Sequence, residues 1–167
     1  METFKIIEGF ENYSVSDFGN VKNNKTGRIL QHLFGSDGYA VVGLMANKQR
    51  TRTSIHRLVA SAFIANIEHK LYIDHVDNDK VNNKVNNLRW VTTKENSQNR
   101  SMRNDNTSGV KGVSWNKTSS SWRATIQIDG IKVHLGYFKN LEDAKQARMI
   151  RANQAFGVFT NSCEKII

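Results

Sequence analysis

Asp74 and His75 close the short apolar run Leu71-Tyr72-Ile73, and Asn96 follows downstream. Together they offer a carboxylate, an imidazole and an amide oxygen. Phosphodiester hydrolysis uses such groups: a base to activate water, and hard oxygen ligands for a divalent ion that neutralises the phosphate and stabilises the departing 3′-oxygen. Asp74 supplies a formal charge and Asn96 a neutral amide oxygen. Two protein ligands leave positions for phosphate oxygens and water, the way magnesium is usually held. His75 is the candidate base, because imidazoles titrate near neutrality. One geometric condition attaches. Neighbouring strand residues face opposite sides, so Asp74 and His75 converge only if the strand ends or bulges before Val76.

Those side chains need a β-loop-β-helix unit to position them. Residues 71–75 read as a strand, 76–87 as a polar loop rich in Asn and Asp, and Leu88-Arg89-Trp90-Val91 as a second strand. Thr92-Thr93-Lys94-Glu95 matches a capping box, so a helix begins at Thr92 and carries Asn96 in its first turn. Upstream, Leu58, Val59, Ala62 and Phe63 recur at helical spacing, predicting a helix over His56–Ala65 with Ser54 as N-cap. His56 reads as structural or as a helper to the phosphate, and Trp90 as core.

Residues 1–55 read as short strands separated by turns: Tyr13–Ser16, Gly19–Asn23, Arg28–Leu30, Gly38–Leu44 and Thr51–Ile55. They are too short to bury a core unaided and should lean on the helix that follows. Residues 97–107 lose apolar periodicity and read as a polar linker whose Arg100 and Arg103 could meet phosphates. Beyond it, Lys111–Lys117, Trp122–Ile128 and Ile131–Phe138 read as three strands, with a hairpin at Asp129-Gly130. A last helix has Asn140 as N-cap, Gly157 as its stop, and Ala144, Ala147 and Ile150 along its inner side. On the middle strand Trp122, Ala124, Ile126 and Ile128 share one face. Arg123, Thr125 and Gln127 share the other, which Lys111, Lys117, Lys132 and His134 extend toward phosphates and base edges. Trp115 suits either core packing or a nucleic-acid contact.

The chain has 167 residues and a net charge of +9, of which residues 108–160 contribute 8 basic and 3 acidic side chains. Basicity alone fits several polyanion binders. No basic amphipathic helix with a wide apolar face appears, and no apolar run suggests a signal peptide or membrane span. The single cysteine, Cys163, excludes an internal disulfide and a cysteine-rich zinc knuckle. An RNA-binding reading lacks an aromatic pair for stacking on an exposed sheet. The expected setting is a bacterial cytoplasm, if the gene is phage-borne.

The stretch His56-Arg57-Leu58-Val59-Ala60, Ile73-Asp74-His75, Asn82-Asn83, Asn86-Asn87-Leu88-Arg89-Trp90-Val91-Thr92 and Asn96, in that order, resembles the HNH nuclease family, most closely its phage-type homing-endonuclease branch. The resemblance implies a ββα-metal fold, His75 as general base, and Asn87 holding the loop and helping to orient that imidazole. It implies Asp74 and Asn96 as ligands of one Mg2+ or Mn2+. An amide oxygen at the last motif position, where the family often has histidine, argues against zinc. Arg57 and Arg89 read equally as phosphate clamps or as members of solvated ion pairs. The segment from Phe4-Lys5 through Tyr13–Ser16 to Thr26-Gly27-Arg28 is similar to a module found ahead of such nucleases, with an implied role in positioning DNA. Residues 108–160 resemble the plant-type Apetala/ethylene-response domain at Gly109–Val113, Trp122-Arg123-Ala124, Leu135–Phe138 and Glu142-Asp143-Ala144. In that family the sheet enters the DNA major groove.

The expected protein is therefore α+β and modular. Residues 1–55 form an N-terminal module of short antiparallel strands, 56–96 a ββα-metal core and 97–107 a linker. Residues 108–160 form a three-stranded antiparallel sheet packed on one helix, followed by a tail over 161–167. The expected activity is metal-dependent hydrolysis of double-stranded DNA by a monomer, nicking one strand to leave 5′-phosphate and 3′-hydroxyl ends. A non-enzymatic DNA-binding regulator, using the same unit as a scaffold, is the alternative.

Overall fold

The computed structural model describes residues 1–165, and the chain divides into two compact units at Thr93/Lys94. The first is a set of small antiparallel sheets around one helix. Strands β1 (Phe4–Ile7), β2 (Phe10–Ser16) and β3 (Val21–Asn23) form a meander, and β4 (Leu33–Phe34), β5 (Ala40–Ala46) and β6 (Gln49–Ser54) form a second sheet. Helix α1 (Ile55–Phe63) follows β6, and β7 (Tyr72–His75) pairs with β8 (Leu88–Val91). Strands β1 and β4 lack clean polar–apolar alternation, so the sequence pattern does not single them out. Arg28–Leu30 forms no strand and makes only a bridge from Lys22 to Ile29.

Side chains from the meander, β5, α1 and the β7–β8 hairpin meet in one core. Val15 and Val21 from the meander, Val42 and Leu44 from β5, Ile55, Leu58 and Val59 from α1, and Ile73 and Leu88 from the β7–β8 hairpin pack together. Each fully buried Val, Leu or Ile contributes roughly 1.5–3 kcal/mol. The strands do lean on α1, as their shortness requires. The division expected at 55/56 therefore falls inside a shared core, and residues 1–93 form one unit.

Helix α2 (Thr93–Gln98) opens the second unit. Strands β9 (Val113–Asn116), β10 (Ser121–Ile128) and β11 (Ile131–Phe138) form an antiparallel sheet with β10 in the centre. Asp129 and Gly130 both have positive φ, 53° and 80°, the conformation that an Asp-Gly hairpin turn requires. Helix α3 (Leu141–Phe156) packs on the sheet. The Asn140 side chain accepts from Asp143 N at 2.8 Å, and Gly157, with φ 51°, ends the helix.

The buried stripe of α3 differs from the expected one. It runs Ala144, Arg148, Ala152, Phe156, while Ile150 is 46% exposed. An arginine enters the core because Glu164 meets it, with Arg148 Nη2 to Glu164 Oε1 at 2.8 Å and both side chains 5% exposed or less. Lys111 Nζ lies 3.4 Å from the same carboxylate. Burial pushes the Glu164 carboxyl up and the Arg148 guanidinium down, and each is opposed by the other's charge. The expected tail thus begins as part of the unit. Asn161 is also buried and donates to the carbonyls of Asn99 at 2.7 Å and Arg100 at 3.2 Å. Lys111 Nζ donates to Gln98 O and Arg100 O. Polar bonds to backbone, invisible to an apolar-periodicity reading, tie down the start of the expected linker.

Removing one partner strands a buried charge, whereas an apolar pair of similar volume does not. Glu164→Ala is expected to destabilise the second unit by roughly 3–5 kcal/mol, with most of that recovered in Arg148→Met/Glu164→Leu. Urea denaturation read through tryptophan fluorescence checks it. Equal losses in the single and the double variant would show that the pair is not what stabilises α3.

Candidate active site

Strand β7 ends at His75, which meets the condition for two adjacent side chains to serve one centre. Asp74 and His75 are both buried, and the backbone turns immediately, with Asn78 N donating to His75 O at 2.9 Å. Asp74 lies opposite Arg89 in the β7–β8 register. Cross-strand partners share a face, and Arg89 reaches the Asp74 Oδ2 atom through Nε at 2.9 Å and Nη2 at 2.6 Å. Of the two roles expected for Arg89, the structure shows the ion pair, formed with Asp74 within the hairpin.

The loop between the strands closes on Asn87. Its Oδ1 accepts from Asp77 N at 3.1 Å, its Nδ2 donates to Asp77 Oδ1 and Asn82 O, both at 2.8 Å, and its carbonyl accepts from Val76 N at 2.9 Å. Asp77 also accepts from Asn82 Nδ2 at 2.6 Å and Asp79 N at 2.8 Å. Burial pushes the Asp77 carboxyl up, but the bonds from Asn82, the Asp79 backbone and Asn87 outweigh it and hold the group below its ordinary value. The ring of His75 meets a different asparagine: Asn83 Oδ1 lies 3.0 Å from His75 Nε2.

Two further rings surround His75: Tyr39, which no sequence signal singles out, and His56, read as structural or as a helper to the phosphate. Tyr39, just before β5, has its ring centroid 5.8 Å from that of His75 and 4.8 Å from that of His56. His56, in the first turn of α1, sits edge-on to His75 at 5.3 Å and 69°. Lys80 Nζ lies 4.9 Å above the Tyr39 ring and donates to Asp37 O at 2.8 Å, tying the β7–β8 loop to the turn before β5. His56 is 7% exposed and its Nδ1 is buried without a hydrogen-bond partner. Burial, then the nearby His75 and Arg57, push its pKa down to about 4, against a weaker opposing effect of Asp37. It is a neutral wall beside the candidate base.

Among the described residues no group of three or more His, Cys, Asp and Glu side chains is placed to hold a metal. A metal at this centre would have one charged ligand, Asp74, helped by amide or water oxygens, a donor set that suits Mg2+ or Mn2+. Asn96 lies exposed on α2, in the second unit.

The remaining expected DNA contacts fall into three groups. Arg57, Arg100, Arg103 and Lys117 are exposed, with Arg103 paired to Asp105 at 2.8 Å. Arg123, Thr125, Gln127, Lys132 and His134 come together, because Thr125 pairs with His134 and Gln127 with Lys132 on the sheet face that carries Arg123. Lys111 and Trp115 leave that face: Lys111 is committed to Glu164 and the backbone near residue 100, and Trp115, still 46% exposed, stacks edge-on against its cross-strand partner Trp122 at 5.1 Å on the opposite face. The polar face also holds Tyr137, opposite Arg123 and 53% exposed, with its ring 4.8 Å from His134. An exposed aromatic pair is therefore present where none was expected. The extra residue at Leu135 brings it together, through a bulge between Ala124 and Thr125 that the sequence pattern hides. A basic cavity of about 780 Å³, lined in part by Lys94, Arg100, Arg103, Thr125 and Lys132, adjoins these residues.

A strand ending in Asp-His, an asparagine-clamped loop, a return strand and then a helix is the ββα arrangement of HNH nucleases. Comparison with known proteins agrees: residues 54–98 match the family described as HNH endonuclease, and residues 2–45 match the NUMOD4 motif. The chain is 42% identical over 101 residues to DNA endonuclease I-HmuI of Bacillus phage SP01, covering 60% of this chain and 58% of that protein. It is 32% identical over 97 residues to H-N-H endonuclease F-TflII of Escherichia phage T5, covering 57% of this chain and 50% of that protein. The chain thus spans only half to three-fifths of these curated relatives. A solved structure described as DNA binding and cleavage by the HNH homing endonuclease I-HmuI superposes with TM-score 0.56 at 33% identity, over 79% of this chain and 76% of that one. The chain belongs to the HNH endonuclease family. No helix among the described residues is long and apolar enough to cross a membrane.

The His56 environment has a pH signature. Below pH about 6.5 the unfolded chain binds a proton at this residue that the folded chain refuses until about pH 4, so stability falls across that window and not above it. The contribution reaches roughly 3 kcal/mol at the acid end, at about 1.4 kcal/mol per unit. Thermal melts of wild type and His56→Phe between pH 4 and 7 should show the variant gaining relative stability as pH falls. A constant difference would exclude a neutral, buried His56.

Proposed function

We propose that the protein is a homing-type DNA endonuclease that hydrolyses a phosphodiester of double-stranded DNA with Mg2+ or Mn2+, acting in a bacterial cytoplasm. The observation that carries the reading is the buried His75, ring-bonded by Asn83 and adjacent to Asp74, in a chain of the HNH family. His75 takes a proton from the attacking water. Asp74 and Asn96 are the proposed oxygen ligands. A divalent ion, when bound, neutralises charge on the phosphate and on the departing 3′-oxygen. Arg89 shares the Asp74 carboxylate and sets its direction, and Asn87 holds the loop in register. The products are 5′-phosphate and 3′-hydroxyl ends, and one such centre per monomer cuts one strand.

The residues proposed to hold DNA lie on both units. Strand β6 exposes Arg50 and Arg52, and Arg57 is exposed on α1. In the second unit, the Apetala-like sheet offers Arg123, Thr125, Gln127, Lys132, His134 and Tyr137 to base edges and phosphates. With roughly 6–10 phosphates contacted, affinity should fall by about 10³–10⁵ between 50 and 200 mM salt.

The test is conversion of supercoiled plasmid carrying candidate targets, with Mg2+, Mn2+ or chelator, for wild type and His75→Ala. Metal-dependent open circles, reduced roughly 10²–10⁴-fold in the variant while DNA binding is kept, are expected. Linear product would mean paired centres. Binding without cleavage of a substrate shown to contain the bound site would point to a DNA-binding regulator.

A further inference from the structure

Asn83 is 4% exposed and lies in the loop between β7 and β8. Its two amide atoms are distinguished by what they face. Nδ2 donates to the carbonyl of Val81 at 3.2 Å, which turns Oδ1 toward the His75 ring, 3.0 Å from Nε2. An amide oxygen only accepts, so Nε2 carries the hydrogen and Nδ1 keeps the lone pair. A general base needs that lone pair aimed at the water, and a wrong tautomer removes it.

What holds Asn83 comes from the other end of the unit. The turn between β2 and β3 abuts the catalytic loop: Val85 N donates to Asp17 O at 2.8 Å, and Gly19 packs directly beneath Asn83. Gly19 has φ +89°, and a Cβ there would lie 2.9 Å from Asn83 Cβ and 3.3 Å from Asn83 O. The turn itself is stiffened by Ser16, fully buried, whose hydroxyl accepts from the backbone N–H groups of Phe18 and Asn20. Asn87, by contrast, directs its amide to Asp77 and Asn82 and acts on the loop.

We infer that Asn83 is the positioning residue that fixes the tautomer and direction of the His75 imidazole, and that the Gly19 turn of the N-terminal strands holds Asn83 in place. This rests on the nuclease reading for its kinetic consequence but not for its geometry. The N-terminal strands are then part of the catalytic scaffold as well as a DNA-positioning module.

Two readouts test it on the full chain. Long-range ¹⁵N–¹H spectra of histidine-labelled protein should show His75 with hydrogen on Nε2 in wild type and in Asn83→Asp, which keeps an acceptor there. That signature should be lost or mixed in Asn83→Ala. Single-turnover cleavage at saturating DNA should fall roughly 10–100-fold in Asn83→Ala, with the Kd for DNA unchanged, as for loss of a group that orients a reacting side chain. Gly19→Ala should move both readouts in the same direction. An Nε2–H signature unchanged in folded Asn83→Ala would overturn the inference, as would a weakened Kd with an unchanged rate. Wild type that shows the signature but cuts no DNA would overturn the nuclease reading alone.

Discussion

The amide of Asn87 bonds to both limbs of the loop that leads from His75 back to Leu88, and the geometry of the centre follows from that closure. A loop of this length, dense in Asn and Asp, has little apolar surface to hold it. Its order comes from saturating short polar side chains with one another and with backbone, as the Asp77 carboxylate does with three donors. The carboxylate that receives those donors stays ionised because they stabilise its charge. Once the limbs are joined, Asn83 and Lys80 have fixed places from which to meet the His75 ring and the turn carrying Asp37.

Beneath the loop, the β7–β8 pairing matches a charge with its counter-charge. Asp74 and Arg89 face each other across the ladder, so a carboxylate that the chemistry wants at a protected position is not left as an isolated buried anion. The neighbouring wall is handled differently. His56 is kept neutral by burial, so the His75 imidazole lies beside an uncharged ring.

The elements that carry the candidate centre were legible in the sequence because their residue types are rare together: Asp-His at the end of a strand, a capping box, and an Asn-rich loop. Strand alternation, the Asp129-Gly130 turn and the Asn140 and Gly157 caps were legible for the same local reason. Interactions between side chains distant in sequence were not. Arg89 reads as a surface cation until its register partner is known, and Lys111 reads as a DNA contact until Glu164 is found beneath it. Ile150 reads as inward-facing because no periodic rule allows an arginine such as Arg148 in the stripe. Tyr39 carries no motif and reaches the site only through the packing of β5 against α1. Asn83 was visible as part of an Asn-Asn pair, but only the closed loop tells which asparagine meets the imidazole.

The shared core of residues 1–93 bears on how nucleases of this kind can be rebuilt. Strands that sit ahead of a nuclease centre invite exchange, as if they were a detachable reading head. Here Val15, Val21 and Leu44 pack with Ile73 and Leu88, and the Asp17–Gly19 turn presses on the catalytic loop. A chimera joined at residue 55 would cut through that core and alter reaction rate together with target choice. The junction that leaves each hydrophobic core whole is Thr93/Lys94, so recombination there inherits the first unit as a single piece, provided the incoming segment restores the Asn96 position of α2.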